Sequence, residues 1–240
     1  MLLVGVGAAA GAFVSGVSGF AYGLVALSLW SWQVEPALLA PMVVFGSLIA
    51  QLLSLRSLGH RLDWRAAVPL VVGGAAGVPI GVALLEHVDL PAFQVVIGLI
   101  LMAYALTAMF AAGRMQALGG GRKIDGVIGF AGGILGGLAG LNGSLPALWA
   151  TLCGWSKERQ RSIFLAYNTA IAVLALMFLG AAGKLGPETV PMFAVILPAT
   201  VLPAWLGTRI YRGLNSDGFR RTVLTLLLIS GVVQLLTALS

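Results

Sequence analysis

The sequence predicts an all-α, polytopic membrane protein, and its composition, segment lengths and internal repetition support this fold class. Of the 240 residues, 59% are hydrophobic and only 9% are charged, whereas about a quarter of the residues of a soluble domain are charged. No water-soluble core can bury so much apolar surface. We therefore expect eight hydrophobic segments that lie in a lipid bilayer, with no soluble domain.

Six of the eight segments have the length of an ordinary membrane-spanning helix. About 20 residues, with a rise of about 1.5 Å each, cross a hydrocarbon core of about 30 Å. We expect each of these segments to form one transmembrane helix. They comprise residues 36–55, 66–85, 91–112, 162–182, 189–208 and 218–239.

The other two segments, 2–32 and 124–154, are too long for a single straight helix across the bilayer. Each has about 31 residues, so a straight helix would be about 46 Å long. Each contains a glycine-rich stretch, SGVSGF at 15–20 and GLAGLNGS at 137–144. Glycine costs about 1 kcal/mol in a helix interior, and serine and asparagine favour helix ends. These stretches therefore predict that segments 1 and 5 are broken or re-entrant.

The two halves of the chain are similar in sequence. Residues 11–54 align without gaps with residues 132–175, and the aligned pairs include Gly11 and Gly132, Gly16 and Gly137, Gly19 and Gly140, and Ser47 and Asn168. At a slightly larger offset, the pairs continue with Gly81 and Gly207 and with Phe93 and Phe219. The alignment predicts two four-segment repeats, residues 1–112 and 124–240, joined by a polar cytoplasmic linker at 113–123.

The distribution of basic residues distinguishes two topologies. Apart from Lys184, all Lys and Arg residues lie in four groups, at 56–65, 114–123, 157–161 and 209–221. If all eight segments crossed the bilayer, the four groups would divide evenly between its faces. If segments 1 and 5 are re-entrant hairpins, all four groups lie on one face, as the positive-inside rule requires of the cytoplasmic side. We therefore expect inverted repeats with both termini outside, and eight simple crossings are the alternative.

Inverted repeats with broken helices are a recurring plan of secondary transporters, whose substrates bind near the midplane where the breaks lie. The second helix of each hairpin would begin near Phe20 or Asn142, with its free N–H groups and positive dipole end directed inward. The two ends should converge and bind an anion. Candidate binding residues at the breaks are Ser15, Ser18, Gly19 and Tyr22 in the first repeat, and Gly140, Asn142, Gly143 and Ser144 in the second.

Further candidates lie on the helices that follow the breaks. Ser47 and Gln51 lie one turn apart, and Tyr167 and Asn168 belong to a polar cluster in an apolar segment. Ser47 and Asn168 correspond across the repeat, so we expect them beside the same cavity. The alternative for all these residues is structural, because serines can cap helices, polar side chains can join helices, and glycines can permit close packing.

The sequence also excludes several classes of function. The net charge is +6, but the basic residues lie between apolar segments and form no single basic face. No nucleic-acid partner is therefore expected. Cys153 is the single cysteine, both histidines lie in loops, and no Asp or Glu lies near the middle of a segment. We therefore predict no enzymatic activity, no metal and no cofactor. No GxxxxGK sequence for phosphate binding is present, so ATP does not drive the protein directly.

The glycine-rich opening of each half, GAFVSGVSGF and GGILGGLAGLNGSLPAL, resembles the sulfite exporter TauE/SafE family of membrane proteins. The four-segment unit, its duplication and the chain length are also similar to that family. The resemblance implies export or uptake of sulfur-containing or small organic anions such as sulfite or sulfonates. The chain departs from the family pattern at Asn142 and Ser144, where members often have further glycines, and at Phe20, Ala21 and Tyr22.

We predict a secondary transporter, and more specifically an exporter, in the inner cell membrane. Its expected partners are a small anionic substrate and the lipid bilayer, and a homodimer is a possible assembly. The membrane potential could drive export, since each negative charge that leaves gains about 2.3 kcal/mol per 100 mV. The alternatives are an anion channel and a membrane scaffold subunit that transports nothing.

Overall fold

A computed structural model describes residues 1–30, 33–56, 62–85, 87 and 121–238, with residues 95, 98, 99, 102 and 106 as single positions. The described ranges form nine helices and no β-strand, which confirms the all-α class. The helices are α1 (Leu2–Ser18), α2 (Tyr22–Trp30), α3 (Pro36–Leu55), α4 (Trp64–Leu84), α5 (Arg122–Ala139), α6 (Ser144–Leu152), α7 (Lys157–Ala181), α8 (Thr189–Gly213) and α9 (Ser216–Ala238). The predicted segment 91–112 and the linker 113–123 lie largely outside the described residues. The division into two repeats and a linker therefore stays a prediction.

Four of the described helices are long and apolar enough to cross a membrane, namely Ala37–Leu55 within α3, Trp64–Leu84, Lys157–Ala181 and Thr189–Gly213. Large apolar side chains face outward from them, and Val72, Met177, Val190 and Leu202 are each between 61% and 65% exposed. Many exposed large apolar side chains are a liability in water, whereas lipid covers them. The length and surface of these helices are those of a polytopic membrane protein.

Both long segments are broken where their glycine-rich stretches predict it. α1 ends at Ser18, and Gly19 follows with a φ of 91°, in the left-handed region. α5 ends at Ala139, and Gly140 follows with a φ of 70°. Glycine enters this region without steric cost because it has no Cβ to meet the backbone. The short helices α2 and α6, with 9 residues each, begin just after these glycines.

Each broken segment folds back on itself as a helical hairpin. The indole N–H of Trp30, the last residue of α2, donates a hydrogen bond to the carbonyl oxygen of Val4, near the start of α1, at 3.2 Å. In the second half, the indole N–H of Trp149 in α6 donates to Asp125 Oδ1, near the start of α5, at 2.7 Å. The far end of each short helix therefore lies beside the beginning of the long one, and the two run in opposite directions.

The first helix of each half packs along a long helix of the other half. α1 lies against α8, where a Cβ on Gly16 would be only 2.9 Å from Gly207 Cα. α5 lies against α4, where a Cβ on Gly137 would be 2.9 Å from Val82 N and 3.2 Å from the carbonyl carbon of Gly81. Glycines bring the two backbones into contact in both pairs, as small residues do between membrane helices. The sequence alignment matches Gly16 with Gly137 and Gly207 with Gly81, so the two contacts correspond.

The order of contacts along each pair shows that its helices run parallel. Between α4 and α5, the contacts advance by one turn in both helices, in the pairs Gly77–Ile134 and Gly81–Leu138. Between α1 and α8, they advance in the same sense, in the pairs Gly5–Val195 and Gly16–Thr208.

The third long helix of the core, α7, runs parallel with α4 and antiparallel to α8. Near the starts of α4 and α7, the N–H of Asp63 donates to Ser162 Oγ at 2.7 Å, and further along both helices Gly74 packs against Ile171. Lys157 Nζ, at the start of α7, donates to the carbonyl oxygen of Leu214, at the end of α8. The segment 182–188 joins the opposite ends of α7 and α8.

Candidate functional site

The two helix breaks meet in the buried centre of the molecule. A Cβ on Gly23, in the first turn of α2, would lie 2.8 Å from the carbonyl oxygen of Gly140 in the second break. Reciprocally, a Cβ on Gly143 would lie 2.5 Å from the Cβ of Phe20 in the first break. Phe20 and Asn142 are each 6% exposed. The N-terminal ends of α2 and α6 therefore lie against each other.

A network of side-chain amides links the two breaks. The carbonyl oxygen of Gly19 accepts one hydrogen bond from Gln51 Nε2 in α3, at 3.0 Å, and another from Asn168 Nδ2 in α7, at 3.1 Å. Asn142 Nδ2, in the second break, donates to Asn168 Oδ1 at 2.9 Å. Four predicted residues are thus connected, and we call this group the amide junction (Gly19, Gln51, Asn142 and Asn168).

The amide junction explains how a break can exist inside an apolar protein. A carbonyl group without a partner is costly there, and Gln51 and Asn168 satisfy the one that the first break leaves open. The first hydrogen bonds inside the short helices run from Val25 N to Ala21 O in α2 and from Ala147 N to Gly143 O in α6. Ahead of these bonds, the N–H groups of Phe20 and Ala21 donate to Ser18 Oγ at 3.4 and 3.2 Å, and the N–H of Ser144 donates to the carbonyl oxygen of Leu141 at 3.3 Å. The side-chain amides of Gln51, Asn142 and Asn168 therefore place uncharged donors together beside the N-terminal ends of α2 and α6.

Four other predicted residues make hydrogen bonds to nearby backbone. Three serines donate to carbonyl oxygens three or four residues earlier, at 2.8–2.9 Å, in the pairs Ser18–Val14, Ser47–Val44 and Ser144–Leu141. Tyr167 donates from its hydroxyl to the carbonyl oxygen of Gly129 at 2.9 Å and so joins α7 to α5. These are the contacts that the structural alternative predicts, and a role of these residues in binding stays a prediction.

Two predicted residues of the first hairpin are fully enclosed. Tyr22 is 0% exposed, its ring packs edge-on against Trp30, and its hydroxyl fills the space that a Cβ on Gly46 would take. Ser15 is 1% exposed, and among the described residues neither its hydroxyl nor Gln51 Oε1 has a hydrogen-bond partner. Buried polar atoms without partners are rare in native proteins. Ser15 and Gln51 therefore mark places where a bound molecule can contribute a partner.

Arg161 is a functional candidate that the sequence analysis did not include among the site residues. Its place in the basic group 157–161 predicts a position between two membrane segments, whereas the structure places it inside α7 with 0% of its surface exposed. Its Nη1 donates to the carbonyl oxygen of Ser15 at 3.4 Å, and its guanidinium lies 4.6 Å from the centroid of the Tyr211 ring. The helical spacing carried a signal, since Arg161 precedes Asn168 by seven residues, about two turns, on one face of α7.

The groups around Arg161 compensate its buried positive charge only in part. Removing an ion from water is strongly unfavourable unless an opposite charge and hydrogen bonds replace the water. The carbonyl end of α1 and the face of the Tyr211 ring provide partial negative charge. In the part of the chain that the structure describes, Nε and Nη2 of Arg161 have no hydrogen-bond partner, and no carboxylate pairs with the guanidinium. The region between Arg161 and Gly19 therefore carries excess positive potential.

The model of the sulfite exporter TauE/SafE family matches residues 3–233. The chain belongs to this family. The match covers both helical hairpins, the amide junction and Arg161. No curated protein and no solved structure matches the chain.

As a TauE/SafE protein, the chain is a multi-pass membrane protein of a transporter family. The apolar helices and the family agree on a function in the transport of anions such as sulfite across a membrane. Within the described ranges, no three His, Cys, Asp or Glu side chains are grouped as metal ligands.

One described cavity of this TauE/SafE protein lies apart from the amide junction. A cavity of about 440 Å³ lies between α3 and α8, lined by Leu53, Arg56, Val201, Leu202, Trp205 and Arg212. None of the predicted site residues lines it. At the junction, Phe20 packs directly on Gly143, and Gly23 packs on Gly140. The two breaks are therefore closed against each other in this structure.

Proposed function

We propose that this TauE/SafE protein is a secondary transporter that exports small sulfur-containing or organic anions, such as sulfite or sulfonates. The anion would bind at the amide junction, between the N-terminal ends of α2 and α6. The observation that carries this proposal is the meeting of two broken helical hairpins at one buried group of uncharged hydrogen-bond donors. Helix ends of this kind inside a membrane form the substrate sites of several classes of secondary transporter.

Helix directions support an arrangement as two inverted repeats. α5 runs parallel with α4, and α4 runs parallel with α7. α7 runs antiparallel to α8, which is parallel with α1. By this chain of relations, α1 and α5 point in opposite directions. In a bilayer, the two hairpins would then be re-entrant from opposite faces.

The same directions would gather the basic residues at one end of the helices. Arg209 and Arg212 lie near the C-terminal end of α8, and Arg65, Arg122 and Lys157 lie at or near the N-terminal ends of α4, α5 and α7. The positive-inside rule identifies such an end as cytoplasmic. The N-terminus of α1 would then lie outside, together with the C-terminus of α9.

Cys153 tests this orientation because it lies between α6 and α7, at the basic end. We expect a membrane-impermeant maleimide to label it in inverted vesicles and not in right-side-out vesicles. Burial, reinforced by the nearby Asp125 carboxylate, raises the pKa of the Cys153 thiol, so labelling should accelerate at mildly alkaline pH. A Leu185→Cys variant in a Cys153→Ser background is the control, and it should show the opposite pattern. Labelling of Cys153 in right-side-out vesicles would contradict the orientation.

The two helix pairs that join the halves of the chain indicate which parts would move during transport. α1 with α8, and α5 with α4, are each joined by glycine contacts between backbones, so each pair would move as a rigid body. The pairs meet at the amide junction, where Asn168 in α7 hydrogen-bonds both Gly19, which follows α1, and Asn142, which follows α5. Rocking of one pair against the other would open the junction first to one face and then to the other.

Counterflow in proteoliposomes tests the proposed function. The purified protein is reconstituted in liposomes that contain an unlabelled anion, and uptake of the same labelled anion is followed for sulfite, sulfonates, thiosulfate and carboxylates. A carrier gives saturable uptake and transient accumulation above equilibrium. Conduction without counterflow would identify a channel, and no flux of any tested anion would indicate a scaffold without transport activity. Either result would contradict the proposal.

Asn168→Leu should reduce transport about tenfold or more while the protein remains folded. Leucine has a similar volume, but it leaves the amide of Asn142 and the carbonyl of Gly19 without this partner, and each such loss costs about 1–3 kcal/mol. Gln33→Leu, which removes an exposed amide, is the matched control and should transport at the wild-type rate. Uptake is measured per folded molecule in liposomes. Equal rates for the two variants would remove Asn168 from the site.

A further inference from the structure

We propose that Arg161 binds the transported anion through the free edge of its guanidinium group, and that this edge selects oxyanions with a single negative charge. The inference rests on the proposed function, because it assigns a charge partner to the anion that would pass through the amide junction. It concerns a residue that neither the helix breaks nor the amide network includes.

Three contacts account for the rest of the Arg161 side chain. Nη1 donates to the carbonyl oxygen of Ser15, one face lies on the Tyr211 ring, and the stem packs on Gly19, where a Cβ would lie 3.4 Å from Arg161 Cδ. Nε and Nη2 are buried and have no partner among the described residues. Their N–H bonds point the same way from one edge of the planar group, which is the fork that binds two oxygen atoms of one anion.

The single charge of Arg161 gives this fork a preference among anions. An oxyanion with one negative charge forms a neutral pair with the guanidinium. A doubly charged anion such as sulfate would leave one net negative charge in an apolar surrounding, which is strongly disfavoured. A halide would pair with the charge, but it has no second oxygen atom for the fork. Sulfonates and singly protonated sulfite meet both requirements.

Other charges near the Tyr211 ring do not replace Arg161 in this role. Lys157 Nζ lies 4.4 Å from the centroid of the Tyr211 ring, but it is only partly buried and donates to the carbonyl oxygen of Leu214. Glu158, the next residue, is exposed and has the opposite charge. Both lie in the first turn of α7, where solvent screens them. Arg161 is the fully buried charge of this region.

The position of Arg161 fits an entry site on the way to the amide junction. Arg161 and Asn168 lie about two turns apart on one face of α7, and both contact Gly19, the first through its stem and the second through its amide. Ser15, whose carbonyl accepts from the guanidinium, also has a buried hydroxyl without a partner in the described chain. An anion from the basic end of the helices would meet the fork first and reach the amide donors two turns further along α7.

If Arg161 had a purely structural role, its removal would change the Tm in a different direction. As a cap on the C-terminal end of α1, Arg161 would stabilise the protein without a ligand, so its removal would lower the Tm. As a buried charge that awaits an anion, it destabilises the protein without a ligand. Arg161→Gln should then leave the Tm of the anion-free protein unchanged or raise it.

Thermal unfolding of the purified protein with methanesulfonate and with sulfate, at constant ionic strength, tests the inference. For the wild type, we expect methanesulfonate to raise the Tm at a concentration about tenfold or more below that required of sulfate. Arg161→Gln should weaken methanesulfonate binding about ten- to a hundredfold. Arg161→Lys keeps the charge without the fork, so it should bind with intermediate affinity. Arg159→Gln removes an exposed charge that lies over Trp155, and this matched control should behave as the wild type.

The outcomes separate the inference from the proposed function. If the wild type transports and binds methanesulfonate and Arg161→Gln binds it equally well, the inference is overturned and the transporter proposal stands. If the wild type neither binds nor transports any of the anions, both fail. If wild-type protein binds sulfate as tightly as methanesulfonate, the charge selection is overturned. If Arg161→Gln lowers the Tm or does not fold, Arg161 has a structural role and the expected effect on stability is wrong. Arg161→Lys then decides whether the fork also binds the anion, and unchanged affinity and preference in that variant would overturn the inference.

Discussion

Gly140→Ala is expected to destabilise the protein by about 2–5 kcal/mol and to stop most transport by the fraction that still folds. Two effects add. The φ of 70° at Gly140 lies in the left-handed region, where alanine costs about 1–2 kcal/mol. The new methyl group would also lie 2.9 Å from the Cβ of Val43, which is fully buried, and overpacking of this kind costs about 1–3 kcal/mol.

Transport should fall for a reason beyond stability. The carbonyl oxygen of Gly140 packs on Gly23, and Asn142, two residues later, donates to Asn168. A methyl group that pushes the break away from Val43 must move these contacts as well. Binding groups that are displaced by about 1 Å lose much of their effect.

Gly183→Ala is the matched control for this prediction. Gly183 has a φ of 71°, and a Cβ there would meet no atom within 4 Å. It shares the backbone strain of Gly140 without the steric contact, so we expect a loss of about 1–2 kcal/mol and a wild-type rate of transport. Thermal unfolding in detergent and flux per folded molecule are measured for both variants. Equal losses of stability would show that the Val43 contact adds nothing, and normal flux in Gly140→Ala would separate the second break from the site.

The positions of the two breaks could be predicted because they depend on local chemistry. A residue with positive φ that ends a helix is nearly always glycine, and Gly19 and Gly140 occupy aligned positions in segments that are too long for one crossing. The hydrogen bonds of the serine side chains also depend on local chemistry. Ser18, Ser47 and Ser144 bond to carbonyl groups three or four residues earlier, as the structural alternative predicts.

Membership of the amide junction could be predicted in part. Gln51 and Asn168 stand out because an amide in an apolar segment must find a partner. The partner itself could not be named, because Gly19 lies 32 positions from Gln51 and 149 positions from Asn168 along the chain. Only the folded arrangement of α1, α3 and α7 brings these groups together.

The burial of Arg161 could not be predicted from the distribution of charge. The positive-inside rule treats every arginine next to an apolar segment alike, and Arg161 follows Lys157 and Arg159 in the sequence. Its burial depends on Ser15, 146 positions away, and on the Tyr211 ring. The packing of α1 on α8 could not be predicted either, because the alignment shows which glycines correspond and not which glycines are in contact.

Gly207→Leu should lower the free energy of unfolding by about 3 kcal/mol or more and remove most folded protein from the membrane. A Cβ on Gly207 would meet the carbonyl oxygen of Phe13 and lie 3.0 Å from both Gly16 Cα and Val17 N. These are backbone atoms, which cannot rotate away as a side chain can. α1 would therefore have to move off α8 and carry the first break out of the amide junction.

Two further variants make this prediction specific to the contact between the helix pairs. Gly213→Leu lies in the same helix, but a Cβ there would meet no atom within 4 Å, so this control should fold and transport as the wild type. Gly81→Leu lies in α4, where a Cβ would be 3.0 Å from Leu138 N, and it should be as harmful as Gly207→Leu because the two pairs correspond. Yield, Tm and flux are compared for the three variants. If only one of the two contact variants lost stability, the pairs could not play equivalent parts, and the symmetric rocking of α1 with α8 against α5 with α4 would have to be abandoned.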